Sequence, residues 1–163
     1  MKSRLFILLL FIIATRFSYG KNIYQSFDKA AFYAVLKSEK PDEINNELSK
    51  IENASFREKQ AYEGTLLMRK AGLLKKPKDK LHLFKEGATK LETAIANDND
   101  NAEYRFLRLI IQEHAPGILK YNKRINDDSA FIKTHFKSLQ PAVQQAVVDY
   151  AKSSKTLHPQ DFE

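Results

Sequence analysis

An all-α fold of about seven helices, packed as antiparallel helix hairpins, follows from three features of the sequence. Glycine and proline are scarce, five of each in 163 residues, and they separate long segments instead of interrupting them. Within those segments apolar side chains recur at spacings of three and four, the period of a helix face. No stretch alternates apolar and polar residues as a half-buried strand would.

Taken in order, Ser26 is placed to cap a helix over residues 27–37, with Phe27, Ala30 and Ala34 on one face. Phe32 falls off that face, which leaves it free for packing elsewhere or for a surface. Pro41 suits a first helical position, where its missing N–H costs nothing, and Ile44, Leu48 and Ile51 follow as an inner stripe. Ser55 and Glu58 have the spacing of a capping box, opening a helix with Tyr62, Leu66 and Leu67 inward. Gly72 is placed to end it in a left-handed conformation. Residues 75–80 read as a charged connector. Leu81, Phe84, Ala88, Leu91 and Ile95 then form the longest stripe in the chain. The Asn/Asp run 97–101 is a turn, with Asn101 capping a helix over 102–114. That helix is apolar on more than one side and is therefore expected at the centre. Pro116-Gly117 breaks the chain, and residues 118–125 are ambiguous. Asp127, Asp128 and Ser129 can cap a helix carrying Phe131, Ile132, Phe136 and Leu139. Pro141 opens the last helix, with Val143, Ala146, Val147 and Tyr150 inward; the tail after residue 153 reads as loosely ordered.

The first twenty residues have the parts of a cleavable signal peptide. Lys2 and Arg4 precede an unbroken apolar run over residues 5–14, and Ser18 and Gly20 stand at −3 and −1 of a cut before Lys21. The run is half the ~20 residues a spanning helix needs. The expected organisation is a leader over 1–20, one helical domain over 21–153 and a tail over 154–163, with no transmembrane segment in the mature chain. A chain with no cysteine has neither a disulfide nor a lipid anchor through one, so its core must hold alone. Export without disulfides points to a bacterial periplasm or cell exterior. Lys2, Arg4 and Arg16 account for three of the seven net positive charges, which removes most of the case for nucleic acid.

Gly87, Leu91 and Ala94, followed by the turn Asp98-Asn99-Asp100-Asn101, have the spacing of the second helix and joint of a helix-turn-helix repeat. Gly64 stands near where the small packing residue of the preceding helix belongs. Over about residues 60–110 the chain resembles a tetratricopeptide repeat, although Asn99 replaces the usual proline and Leu109 a small residue. The resemblance implies a non-catalytic binding or adaptor protein that presents a helical face to a protein or peptide.

No catalytic motif stands out. His82, His114, His135 and His158 form no metal-binding spacing, and the Asp/Asn turn fails as a calcium loop because Ala102 and Glu103 fall at its fifth and sixth positions. The expectation is no catalytic residue, no metal and no cofactor. Glu113-His114 adjoins the Pro116-Gly117 break as a pocket edge, Tyr121 lies among Lys120, Lys123 and Arg124, and Tyr104 sits on the central helix. These four, Tyr104, Glu113, His114 and Tyr121, are the candidate binding residues. An exported enzyme with its site near Glu113 and His114, or an effector or immunity-type protein, is the alternative.

Overall fold

The structure, a computed structural model, describes residues 27–163. The leader over 1–20 and the Ser26 cap lie outside the described residues. Among these, seven α-helices and three short 3₁₀ turns account for the regular structure, with no strand. The helices are α1 (Lys29–Lys37), α2 (Pro41–Asn53), α3 (Lys59–Leu73), α4 (Pro77–Asn97), α5 (Ala102–His114), α6 (Ile125–His135) and α7 (Pro141–Ala151). No helix in this region is long and apolar enough to cross a membrane.

Pro41 and Pro141 stand in the first turn of a helix as the sequence implies, and so does Pro77, which the sequence pattern places in the connector. Asn101 caps α5 through its side chain, which accepts the Tyr104 amide at 3.2 Å. Other boundaries differ for local reasons. Asp28 caps α1 by accepting the Ala31 amide at 3.0 Å. The Ser55–Glu58 capping box does not form: Glu58 is itself the residue before α3, and no side chain caps that end. Gly72 keeps an ordinary helical backbone and α3 runs on to Leu73. Residues 77–80 of the connector form the first turn of α4. Helix α6 begins at Ile125, which carries Asp128 and Ser129 into the interior instead of leaving them at a cap.

Helices α3 and α4 form the tightest hairpin, because two glycines face each other where they cross. A Cβ built on Gly64 would stand 2.6 Å from the Gly87 carbonyl oxygen, and one on Gly87 would stand 2.5 Å from the Gly64 oxygen. Both obstacles are backbone, so neither can turn aside. Gly87→Ala should therefore force the helices apart and cost about 2–3 kcal/mol, read by chemical denaturation. A loss no larger than an exposed-helix substitution would mean that the hairpin is not held by this contact.

Helix α1 lies across the face shared by α3, α5 and α7. Phe32 meets Tyr62 of α3 at a ring separation of 4.4 Å, Tyr33 meets Phe106 of α5 at 5.7 Å, and Lys37 approaches Asp149 of α7 at 3.8 Å. Phe32, off the expected stripe, is fully buried here. The chain end is packed, not loose. Leu157 is fully buried, Phe162 lies on Phe136 at 4.6 Å, and Lys133 pairs with Asp161 at 2.9 Å. The expectation of a loosely ordered tail overlooked these anchors because each is distant in sequence.

Candidate binding surface

Helix α5 is buried on most sides, as its apolar girth implies, yet it carries four buried polar side chains: Glu103, Arg108, Gln112 and Glu113. Each ties another part of the molecule to it. Glu103 accepts hydrogen bonds from the Tyr33 and Tyr62 hydroxyls and from the Lys29 ammonium, joining α1 and α3 to α5. Arg108 donates through Nε and Nη2 to Asp128 of α6 at 2.8 and 2.7 Å, a bidentate pair, and through Nη1 to Glu92 of α4 at 2.8 Å. Gln112 donates to Asp128 at 2.7 Å and accepts the Arg124 amide at 2.9 Å. Glu113 accepts from the Tyr150, Ser154 and Thr156 hydroxyls at 2.7, 2.9 and 2.8 Å, and from the Lys155 amide at 3.2 Å.

These bonds set the protonation behaviour. Burial and the Glu103 carboxylate push the hydroxyls of Tyr33 and Tyr62 well above the ordinary phenol range. Burial, then the charge and hydrogen bond of Glu92, does the same to Tyr121. Tyr104 is pushed up to about 12 by burial and by the Glu58 and Asp98 charges. Burial disfavours the Arg108 cation, but Asp128 and Glu92 outweigh it and raise its pKa. At Glu113 burial opposes ionisation, and the bonds from Tyr150, Thr156, Ser154 and Lys155 prevail, holding the carboxyl below its usual range. None of these six groups, four phenols, one cation and one carboxyl, is poised to exchange a proton near neutrality. Among the described residues Asn45 Oδ1 is the one buried side-chain polar atom without a hydrogen-bond partner, and no cluster of His, Asp or Glu has the makings of a metal site.

The Glu113 arrangement has a consequence for pH. A carboxyl with a lowered folded-state pKa contributes stability above its unfolded value of about 4.3 and loses it as pH falls through the folded value. The tail should therefore detach first under acid. Amide exchange at Thr156 and Leu157 should accelerate below pH 4 before the α3–α4 hairpin responds. Glu113→Gln should show that faster tail exchange already at pH 7. Tail exchange that tracks global unfolding at every pH would contradict the assignment.

Two concave surfaces stand out among the described residues. The larger, an open groove of about 930 Å³, runs along α4 beneath the 3₁₀ turn Gly117–Leu119. Phe84, Ala88, Leu119 and Tyr121 line it, with Leu81 and Ile118 among the same lining residues. Leu81 is 42% exposed and Ile118 89% exposed, and among the described residues these are the exposed large aliphatic side chains. Tyr121 is held by a hydrogen bond to Glu92 at 2.7 Å and by edge-on contact with Phe84 at 5.3 Å. The smaller cleft, about 370 Å³, lies between α1, α5 and α7, with Arg69, His114 and Asp149 on its border. Arg69 there donates to the Leu36 carbonyl at 3.2 Å, and Lys37 faces Asp149, so its charges already have protein partners.

The four candidate residues are not brought together. Tyr121 lines the groove and His114 the cleft, while Tyr104 and Glu113 are buried and line neither. Leu81 and Ile118 are the residues that sequence reasoning missed. Leu81 continues the apolar spacing of α4, but Phe84, Gly87, Leu91, Ala94 and Ile95 are the side buried against the fold, and Leu81 belongs to an adjacent stripe with Lys85, Ala88 and Glu92. The overlap of two stripes on one helix was the available signal. Compared with known proteins, the chain matches no family model, no curated protein sequence and no solved structure.

Proposed function

We propose that this chain is an exported, non-catalytic helical binding protein whose partner docks on the groove along α4. The observation that carries this reading is the coincidence of Leu81 and Ile118 in one groove. Exposed aliphatic groups cost free energy in water, and clustering them at a concave surface is the mark of a place that another molecule covers. The engagement of the buried α5 charges Glu103, Arg108 and Glu113 in internal bonds supports a structural role for them and favours binding over catalysis. The leader residues 1–20 support export to a bacterial periplasm or exterior, and the Gly64–Gly87 contact supports a helical-repeat relationship for α3 and α4.

Two experiments test the two halves. Intact-mass measurement of the protein recovered from its producing cell should give a chain beginning at Lys21. Recovery with residues 1–20 attached would defeat the export reading. For the surface, a photo-reactive amino acid at position 118 should yield a discrete adduct in those cells. The same group at the exposed Lys137, remote from the groove, should not. Adducts that are absent at 118, or identical from both positions, would overturn the binding reading.

A further inference from the structure

We infer that the partner segment is an acidic amphipathic helix lying parallel to α4, an inference that rests on the binding reading above and names the chemistry of the partner. The first support is charge. Residues 75–86 and 117–124, which flank the groove, hold Lys75, Lys76, Lys78, Lys80, Lys85, Lys120, Lys123 and Arg124 against only Asp79 and Glu86, a net charge of +6. Residues 1–26 carry four of the seven net charges of the whole chain, so all of 27–163 has a net charge of +3. The remaining described residues are net negative only through buried Glu47, Glu103, Glu113 and Asp128, offset by buried Arg108. The rest of the described surface is neutral, so its net positive charge lies on these two segments. None of those seven lysines forms an ion pair among the described residues; Arg124 pairs with Asp127. Residues 1–26 contain no aspartate or glutamate that could neutralise them. Inside the groove the Glu92 carboxylate is already matched by Arg108.

The second support is shape. The groove follows α4 from Leu81 to Ala96, about 22 Å at 1.5 Å per residue, or four helical turns. Its lining residues on α4 recur every three or four positions, the ridge that a second helix packs against. An extended peptide would need backbone partners. The α4 backbone has none to offer because its groups bond within the helix, whereas a helix satisfies its own. Phe84 is buried and Ala88 only partly exposed, so a flat bilayer would cover little of the groove's apolar lining beyond Leu81 and Ile118. An incoming helix with apolar side chains three and four apart would cover these residues, with Leu81 and Ile118 closing over it. Glu or Asp on its flanks would meet Lys85 and Lys120.

The test is selection of displayed 16-residue amphipathic peptides, randomised at their polar positions, on the folded chain, with binding of the winners then measured by fluorescence anisotropy. Winners should carry net negative charge and bind about tenfold more tightly than their Glu→Gln analogues, the advantage shrinking at high salt. Leu81→Asp/Ile118→Asp should abolish binding, and Lys85→Glu/Lys120→Glu should weaken it while leaving the unfolding midpoint in place. Winners without acidic bias that still require Leu81 and Ile118 would overturn this inference and leave the binding reading standing. Winners indifferent to the groove variants, no winners, or capture by anionic phospholipid vesicles in place of peptides would overturn it as well. The adduct at position 118 separately decides the binding reading.

Discussion

Asp128→Ala should cost about 3–5 kcal/mol of folding stability, the usual consequence of removing one partner from a buried ion pair. Asp128 has no exposed surface and accepts three close hydrogen bonds, two from Arg108 and one from Gln112. Without it the Arg108 guanidinium keeps only Glu92, and the Gln112 amide loses its acceptor. Helices α4, α5 and α6 meet through this cluster, so the whole unfolding transition should shift, not one end of the molecule. The measurement is equilibrium denaturation, and the paired variant Arg108→Met/Asp128→Leu separates causes. Apolar replacement of both partners often restores what single removal loses. Substantial recovery is expected in the double variant, and a double variant as unstable as Asp128→Ala would point to a packing role for the carboxylate.

Glu103→Ala should be the second large effect, about 3 kcal/mol, from leaving two buried hydroxyls and an ammonium without an acceptor. Its signature differs because Lys29 and Tyr33 belong to α1, which reaches the rest of the chain through the short link 38–40. Amide exchange should rise in α1 well before it rises in α5 or α6. Replacement by glutamine should recover only part of the loss, since one neutral carbonyl substitutes for a carboxylate that accepts three bonds. Uniform loss of protection across all helices would show instead that α1 and the core unfold as one unit.

How much of this was legible follows from the physics of each residue. Helix α5 could be placed at the centre because apolar residues encircle it, and the first turns of α2 and α7 because proline has few other places to stand. The partners of Glu103, Arg108 and Glu113 could not be read, since each lies tens of residues away in sequence and no spacing rule connects them. Asp128 looked like a cap because Asp-Asp-Ser is good capping chemistry; a buried arginine one helix away changed its role. The groove was hidden for a different reason. Leu81 obeys helical periodicity, and whether an apolar stripe is covered depends on what packs there, which the residues of α4 do not specify.

The thermal unfolding midpoint of Leu81→Asp/Ile118→Asp bears most directly on the division between interior charges that hold the fold and a groove left free for a partner. Ile118 stands almost wholly in water and Leu81 is 42% exposed, so the midpoint should stay within about 2 °C of the native protein, as surface substitutions generally do. A fall as deep as that of Asp128→Ala would mean that these aliphatic groups are part of the packed core, and the groove would cease to be a place where anything docks.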